Sequence, residues 1–332
     1  MLYPLSYGGE ACKGASLPVW LVGRRWQNER MSPGTAPTVK ENTPTLWQLA
    51  IPRRGSDRHK YDFGHALVVT GELVGAARLA ATAAQRAGAG LVSLACEQSQ
   101  WAGLASGVGS QLLWPGHEDQ DLRTLLLDPR INAVALGSGW LVSEHGAPQQ
   151  ARVAQALGQV VPRRQWVLDA GALTAFAGRV LELKGLLEPW AGHVVLTPHA
   201  GEFDKLFGPV LAASEDQAVR AVQAAALMGA VVVLKGAQTW IASPEGDCWR
   251  HDASDVPWLA TAGTGDILAG LIAGLLAQGL SPQLAAGGGC WLQRQAARLA
   301  VSQSGGMGLI AEDVLDQMRA AWQALDHSAL RA

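Results

Sequence analysis

Six short apolar segments constrain the fold of this chain more than any other feature. Each is rich in Val and Leu, and most of them run into Gly, Thr or Asp: Ala66–Gly71, Gly90–Cys96, Ile131–Gly137, Gln165–Gly171, His193–Pro198 and Ala230–Gly236. Their apolar residues are continuous rather than alternating with polar ones, which is typical of strands that are buried on both faces of a parallel sheet. We therefore expect a mostly parallel central sheet that is flanked by helices.

Stretches with helical character lie between several of these segments, namely Gly75–Ala87, Ser214–Met228 and Ile267–Gln278. Ser214 with Gln217 has the pattern of a capping box, and Ser281 followed by Pro282 is typical of the first residues of a helix. The alternation of strands and helices predicts a three-layer α/β domain with right-handed crossovers. The turn residues within Thr239–Trp249 predict a local hairpin.

The first 55 residues differ from the rest, because they contain several Gly and Pro residues and show no sustained period. They predict a poorly ordered N-terminal extension over residues 1–55, followed by one domain over residues 56–326. The sequence contains no secretory signal pattern and no apolar run of about 20 residues that could span a membrane. We therefore expect a cytoplasmic protein.

Charge and cysteine content exclude several classes of function. A net charge of −2 over 332 residues gives no general attraction to nucleic acid or to an anionic membrane, so any phosphate binding must be local. The four cysteines are scattered and none has the spacing of a metal site, which indicates reduced thiols. No metal-ligating residues are predicted.

The most informative motif is Gly263-Thr264-Gly265-Asp266, which an apolar helix follows at once. The two glycines allow successive amides to point into one hollow, and the helix start adds unpaired N–H groups, so Gly263, Thr264 and Gly265 form a candidate anion hole for a phosphate. Asp266 would repel a phosphate as a ligand, and its better role is that of a general base toward a substrate hydroxyl. A glycine-rich helix start with a capping Asp has the same pattern.

Polar residues also follow three other predicted strands. Lys235, with Gly236, Ala237, Gln238 and Thr239 behind it, comes directly after an apolar strand, where its ammonium would neutralise a nucleotide phosphate. A surface lysine that ends a strand is the alternative. Thr197–Glu202 presents His199 to a substrate and Glu202 to the waters of a Mg²⁺ ion, or else Glu202 only caps the first turn of a helix and His199 is solvated.

Two glycine turns come after strands as well. Gly71, with Gly75-Ala76-Ala77 after it, and Gly137-Ser138-Gly139 both suit close approach of a ligand to the backbone, although glycines that pack a strand against a helix give the same signal. Asp169 is another strand-end carboxylate, with no evident partner in the sequence. The carboxyl ends of parallel strands meet at one edge of a sheet, so all of these residues are expected together.

Taken in order, these segments resemble the NAD(P)H-hydrate dehydratases over residues 58–324. The blocks that carry the resemblance are His59–His65, Gly75–Ala77, Arg86–Val92, Leu136–Gly139, Leu168–Leu173, Thr197–Glu202, Leu234–Gly236 with Thr239, and Gly263–Asp266. The resemblance implies a ribokinase-like fold, a homo-oligomer, and the use of ADP or ATP with Mg²⁺ to reconvert hydrated NADH or NADPH (NADHX or NADPHX) to the normal coenzyme. Many relatives also carry an N-terminal epimerase domain, for which residues 1–55 are too short, so only the dehydratase step is expected.

The resemblance also implies roles for individual residues. By position in the motifs, the residues that contact the hydrated nicotinamide nucleotide are Ala76, Gly139, His199 and Asp266. Those that hold the adenine nucleotide (ADP, leaving as AMP) are Lys235, Gly236, Ala237, Gln238, Thr239 and Gly265. The chain departs from the family at Ala262, where Gly is usual, at Ser138, where Pro is common, and over His251–Trp258.

Two alternatives share these sequence features. A small-molecule kinase of the same superfamily, for instance one that phosphorylates a vitamin alcohol, needs the same base and the same anion hole. A non-catalytic nucleotide-binding module would be expected to lack one of them, and both are present.

Overall fold

The computed structural model describes residues 37–107, 109–115, 119–143, 146–158 and 164–325. It contains one sheet whose strands are β1 (Val39–Glu41), β2 (His65–Val69), β3 (Leu91–Cys96), β4 (Leu112–Pro115), β5 (Ile131–Leu136), β6 (Gln165–Leu168), β7 (Val194–Leu196), β8 (Val231–Leu234), β9 (Gln238–Ala242) and β10 (Cys248–Asp252). Their order across the sheet is β1-β10-β9-β8-β7-β6-β5-β2-β3-β4. Only the pairs β8/β9 and β9/β10 are antiparallel, so the predicted mostly parallel sheet is confirmed.

The described helices are α1 (Val74–Arg86), α2 (Trp101–Ala105), α3 (Asp119–Leu126), α4 (Ala147–Leu157), α5 (Gly171–Thr174), α6 (Val180–Leu187), α7 (Ala200–Phe207), α8 (Gln217–Met228), α9 (Thr264–Ala277), α10 (Pro282–Ser304), α11 (Ala311–Asp316) and α12 (Met318–Gln323). No helix in the described ranges is long and apolar enough to cross a bilayer.

Neighbouring residues of the central strands pack into opposite layers, which is how the continuous apolar segments give two cores. In β2, Ala66 and Val68 join a core with α1, α9 and α10, whereas Leu67 and Val69 join a core with α4, α6 and α8. The three-layer α/β architecture predicted from the sequence is thereby confirmed.

Two local predictions need correction. The helix expected to begin at a Ser214 capping box begins at Gln217 instead, because Asp216 Oδ1 accepts from the amides of Ala218 and Val219 and is the N-cap. The apolar helix expected from Ile267 begins at Thr264. The predicted hairpin is present as β9 and β10, and Ser281 with Pro282 starts α10 as expected.

The N-terminal boundary also differs from the prediction. Residues 1–36 lie outside the described residues, but residues 37–51 are not a poorly ordered extension, because β1 pairs in parallel with β10 and Trp47 is only 1% exposed. The Trp47 ring packs against α10, with its centroid 5.8 Å from that of Trp291. The segment has no hydrophobic period because Trp47 is its one fully buried apolar side chain and its only strand is a short edge strand.

Replacement of Trp47 tests whether this segment is part of the domain. Trp47→Ala leaves a cavity in the core, and we expect it to lower the free energy of unfolding by about 3–5 kcal/mol. Leu49→Ala is the matched control: Leu49 is two residues away and 71% exposed, so we expect a change within about 0.5 kcal/mol. Urea unfolding of both variants gives the comparison, and equal stabilities would show that residues 37–51 are dispensable.

Candidate active site

The polar residues singled out after the strands meet at the carboxyl edge of the sheet. Ser138 follows β5, Asp169 follows β6, Thr197 follows β7 and Lys235 follows β8, and these four strands are consecutive neighbours. The pairing of β7 with β8 continues past the strand ends, since the Lys235 amide donates to the Pro198 carbonyl at 2.8 Å. The sheet thus places these side chains side by side.

An ion pair between Lys235 and Asp169 lies at the centre of this edge. Lys235 Nζ is 2.7 Å from Asp169 Oδ1, and the same oxygen accepts the Thr197 hydroxyl at 2.7 Å. The two charged side chains are only 18% and 3% exposed. Asp169, which had no evident partner in the sequence, therefore holds the lysine in place.

The ammonium of Lys235 is kept charged by its surroundings. Burial disfavours the charged form, but the carboxylates of Asp169, Glu202 and Asp266 outweigh burial and hold the pKa of Lys235 above its usual value. Lys235 is consequently a fixed cation at the strand end, as expected of a residue that meets a phosphate.

Asp266 lies in the first turn of α9, and its carboxyl is a weaker acid than an ordinary surface carboxyl. Burial raises the pKa of its carboxyl to about 6, and the nearby Asp169 carboxylate adds to the rise. The Ser138 hydroxyl and the Lys235 ammonium act in the opposite direction. Ser138 thus supplies a hydrogen bond to the candidate base.

The start of α9 presents backbone amides beside Asp266, with one correction to the predicted anion hole. The Thr264 amide donates to the Thr261 carbonyl at 3.3 Å, and its hydroxyl donates to backbone carbonyls. Thr264 is therefore engaged by the protein itself. Within the described ranges, the amides of Gly263, Gly265 and Asp266 have no backbone acceptor, so these three remain available at the start of α9.

The two glycines of the motif have different surroundings. A Cβ on Gly265 would lie 3.7 Å from Lys235 Nζ and 4.0 Å from Asp169 Oδ2, so its bare face opens onto the ion pair. Gly263 has a φ of +90°, and a Cβ there would lie 2.7 Å from Leu79 and 2.9 Å from Ala311. Gly265 thus borders the ion pair, whereas the positive φ and the close neighbours of Gly263 tie that glycine to the turn and to packing.

A cavity of about 680 Å³, which we call the Lys235 cleft, opens beside the ion pair. Its residues are His199, Lys235, Gly236, Ala237, Thr239, His251, Ala253, Ser254, Val256, Pro257, Leu259, Ala260, Thr261, Thr264, Gly265, Leu268, Cys290 and Gln293. Charge is concentrated at the Lys235 end, and much of the remaining lining is aliphatic. Such a cleft suits a ligand with an anionic end and a flat apolar end.

Three other residues that the sequence predicted for the site, Ala76, Gly139 and Gln238, do not line the Lys235 cleft. Ala76 and Gly139, which we call the second lobe, lie side by side where the two glycine turns pack, because a Cβ on Gly139 would lie 3.1 Å from that of Ala76 and 2.3 Å from the Leu73 carbonyl oxygen. Ser138, next to Gly139, is hydrogen-bonded to Asp266. Gln238 is exposed and does not line the cleft.

His199 lines the Lys235 cleft rather than the second lobe. Its Nδ1 accepts from the amides of Gly201 and Glu202, so His199 is itself the N-cap of α7, which the sequence did not suggest. Glu202 Oε2 accepts from the His199 amide at 2.9 Å, so Glu202 also caps the helix, as the alternative interpretation of this motif had it. Its Nε2, 3.6 Å from Glu202 Oε1, remains directed away from the helix amides. The side chain is 59% exposed, which leaves the ring open to a ligand.

Comparison with known proteins gives the same family along most of the chain. The family model for NAD(P)H-hydrate dehydratase matches residues 66–319. A bifunctional NAD(P)H-hydrate repair enzyme of Moorella thermoacetica is 37% identical over 273 residues, which are 80% of this chain and 50% of that enzyme. The chain spans about half the length of the first such relatives.

Two further relatives match over nearly their whole length. An ADP-dependent (S)-NAD(P)H-hydrate dehydratase of Xanthomonas campestris is 34% identical over 295 residues, covering 84% of this chain and 95% of the relative. The crystal structure of an ADP/ATP-dependent NAD(P)H-hydrate dehydratase from Bacillus subtilis, co-crystallized with ATP and Mg²⁺, has a TM-score of 0.67 at 28% identity, covering 87% of this chain and 99% of that one.

The fold is accordingly the ribokinase-like one that the motifs implied. With the family model matched from the second strand of the sheet to the last helix, the chain belongs to the NAD(P)H-hydrate dehydratase family.

Proposed function

We propose that this chain catalyses the ADP-dependent dehydration of NADHX and NADPHX to NADH and NADPH, with release of AMP and phosphate, as a metabolite-repair lyase. The observation that carries the proposal is the position of Asp266. A carboxyl with a pKa near 6 lies at a helix start whose open amides border the Lys235–Asp169 ion pair. Such a carboxylate is basic enough to accept a proton and is still ionised at neutral pH.

The two lobes divide the ligands between them. ADP binds in the Lys235 cleft with its β-phosphate at Lys235 and Gly265, and Gly236, Ala237 and Thr239 line the path of the nucleotide. The hydrated nicotinamide binds in the second lobe, against Ala76 and Gly139. His199 contacts the substrate from the cleft side, with Asp266 between the lobes. Small residues in the second lobe let the flat ring approach the backbone closely.

The first step is phosphoryl transfer. Asp266 takes the proton from the C6 hydroxyl of the hydrated ring as that oxygen attacks the β-phosphorus of ADP. The new O–P bond forms, the bond from the β-phosphorus to the bridging oxygen breaks, and AMP leaves with the electron pair. The charge that spreads over the phosphoryl oxygens is stabilised by the Lys235 ammonium and by the amides of Gly265 and Asp266.

The second step is elimination. The lone pair of the ring nitrogen expels phosphate from C6, and a water molecule then takes the proton from C5, whose C–H electron pair restores the dihydropyridine. Phosphate is a much better leaving group than hydroxide, which explains why a phosphoryl donor is consumed in a dehydration.

The proposal includes Mg²⁺, and the donor set fits an ion that is bound chiefly by phosphates and water. No cluster of three His, Cys, Asp or Glu side chains that could hold a metal occurs among the residues with described coordinates. Mg²⁺ in nucleotide sites usually keeps several waters and takes only one or two carboxylates. Glu202, which acts on the charge of Lys235, is the carboxylate we assign to those waters. The ion supplies charge neutralisation at the phosphates when bound.

We further propose that the protein acts in the cytoplasm as a homo-oligomer, on small molecules alone. The net charge of −2 supports the lack of a nucleic-acid or membrane partner.

The product distinguishes this function from that of a kinase with the same fold. Purified protein incubated with hydrated NADH, Mg²⁺ and either ADP or ATP should restore the absorbance of reduced nicotinamide and release phosphate. A kinase would instead accumulate a phosphorylated alcohol without restoring that absorbance. Incubation without nucleotide is the control. Failure to restore the absorbance with either nucleotide would contradict the proposal.

Replacement of the base separates chemistry from binding. We expect Asp266→Asn to lower kcat by at least about 100-fold while the Kd for ADP stays within about threefold, because the variant loses a base and no cation. Asp313→Asn is the matched control, since Asp313 is also an acidic residue in the first turn of a helix but lies on α11. Its kcat should equal that of the wild type. Substantial turnover by the Asp266 variant would exclude this residue as the base.

The same carboxyl predicts the pH dependence. Only the ionised form of Asp266 accepts a proton, so kcat/KM should fall as the pH drops through about 6, the pKa of this carboxyl in the free protein. The activity is retained above that value. A profile that is flat from pH 7 to pH 5 would be inconsistent with a base of this pKa.

The two glycines give a matched pair of variants. The methyl of Gly265→Ala would face the ion pair at ordinary contact distance, so we expect unchanged or slightly higher stability with at least a tenfold (about 1.4 kcal/mol) weaker apparent affinity for ADP. Gly263→Ala meets a strained φ and two close contacts, and should lose about 1–3 kcal/mol of unfolding free energy. Urea unfolding and the KM for ADP distinguish the two. An unchanged KM for Gly265→Ala would remove this residue from the anion site.

A further inference from the structure

Gln293 lines the Lys235 cleft, and the proposed reaction assigns it no role. It lies on α10 and is only 8% exposed. Among the residues that line the described cleft, none of the others has a side-chain carbonyl or carboxylate. Gln293 Oε1 is therefore the side-chain oxygen of this cleft that can only accept a hydrogen bond.

A hydrogen bond to the start of α9 fixes the orientation of the Gln293 amide. Nε2 donates to the Thr264 carbonyl at 2.5 Å. The opposite orientation would bring two carbonyl oxygens together, so Nε2 faces Thr264 and Oε1 lies on the other side of the amide. The acceptor is thus held in place by the protein itself.

Gln293 Oε1 has no hydrogen-bond partner within the described part of the chain, but a ligand can reach it. The fully buried oxygens without a partner in the described residues include Oε1 of Gln48, Gln111 and Gln165, and Gln293 Oε1 does not belong to them. It therefore keeps accessible surface, which faces the cleft because the rest of the residue is buried.

The surroundings of this oxygen make an unpaired state costly. Leu268, one turn after Thr264 on α9, and Cys290, one turn before Gln293 on α10, also line the cleft and are 5% and 4% exposed. The cleft hydroxyls donate to protein oxygens, namely those of Thr239, Ser254, Thr261 and Thr264. An amide oxygen beside apolar groups calls for a donor, and here the donor has to come from the ligand.

The bond to Thr264 also places Gln293 Oε1 near the phosphate end of the cleft. Gly265, whose amide the proposed function assigns to the β-phosphate, directly follows Thr264. The path from that amide to Oε1 runs over the Thr264 carbonyl and Gln293 Nε2, so the two atoms are at most about 7 Å apart. ADP has donors on its ribose, which carries the phosphates, and on the amino group at the far edge of its base. The ribose hydroxyls match this short distance better.

We propose that Gln293 Oε1 accepts a hydrogen bond from a ribose hydroxyl of ADP and thereby makes the Lys235 cleft selective for ribonucleotides. This inference rests on the proposed function, which places ADP in the cleft with its β-phosphate at Lys235 and Gly265. It makes Gln293 a specificity-determining residue for the nucleotide, outside every motif that the sequence singled out.

Analogues that lack one donor test the contact directly. Binding of ADP, 2′-deoxy-ADP, 3′-deoxy-ADP and purine riboside diphosphate, which lacks the amino group, to the full-length wild type would be measured by calorimetry with Mg²⁺. We expect one deoxy analogue to bind about five- to tenfold more weakly than ADP, as for the loss of one hydrogen bond to a buried acceptor. Equal affinity for ADP and both deoxy analogues would overturn the proposal.

Variants assign that loss to Gln293. Gln293→Met, which replaces the amide by an apolar group of similar length, should bind ADP about five- to tenfold more weakly and should no longer discriminate against the sensitive analogue. Gln278→Met is the matched control, because Gln278 Nε2 also donates to a carbonyl of α9, that of Gly274, at the opposite end of the helix. It should keep both the affinity and the discrimination. If Gln293 only supported α9, its variant would weaken all nucleotides equally and keep the discrimination, which would refute the contact.

The series on the wild type alone covers the case of a variant that fails to fold. If purine riboside diphosphate is the one analogue that binds weakly, the nucleotide is recognised through its base and the ribose contact is wrong. If the wild type binds and turns over ADP without ribose discrimination, only this inference fails. If it binds no ADP, the proposed function fails with it.

Discussion

The buried ion pair between Lys235 and Asp169 is the interaction on which the candidate active site depends. Transfer of two charges out of water is costly, and attraction offsets that cost only where the geometry is good and the remaining polar atoms are satisfied. Here Nζ and Oδ1 are 2.7 Å apart, and the Thr197 hydroxyl donates to the same carboxylate. Three consecutive strands, β6, β7 and β8, supply these groups, so the sheet itself enforces the arrangement.

The pair also sets the acidity of its neighbour. Asp169 raises the pKa of Asp266 and Lys235 lowers it, so the two partners act on the candidate base in opposite directions while burial keeps the net value near 6. A cation without its carboxylate would make Asp266 more acidic and a poorer base. A carboxylate without its cation would raise the pKa of Asp266 further. The ion pair therefore limits the change in the pKa of Asp266, while the Lys235 ammonium remains available to a phosphate.

Elements of the fold that rest on a repeated sequence pattern could be predicted. Elements that are held in place by a single long-range contact could not. The central strands are recognisable in the sequence as continuous apolar segments. In contrast, β1 is three residues long and exposed, and β4 is short and partly exposed, so neither has a recognisable hydrophobic period. Trp47 is an isolated aromatic residue in a Pro-containing segment. Its burial against α10, far along the chain, could not be foreseen from its neighbours.

The candidate active site could likewise be predicted only in part from the sequence. Residues at strand ends could be grouped because topology brings those ends together. The partner of Asp169 was still not evident, because Lys235 is 66 positions away and the sequence does not give the order of the strands across the sheet. Gly263 and Gly265 look alike in the motif, and only their surroundings separate a packing role from a ligand-facing one. The sequence predicts Thr264 as part of the anion hole, because it does not reveal that the Thr264 amide donates a hydrogen bond to the Thr261 carbonyl.

These features also indicate where substrate choice must reside. A kinase and a dehydratase of this fold need the same base, anion hole and nucleotide cleft, because both begin with attack of a hydroxyl on a phosphorus. In the proposed reaction the elimination that follows is driven by the ring nitrogen of the substrate and needs no additional charged side chain. Selection between the two outcomes therefore falls to the second lobe, whose residues Ala76 and Gly139 lie close together and are those that the proposal sets against the hydrated ring. The small residues of that lobe, rather than any further catalytic group, would separate the two activities.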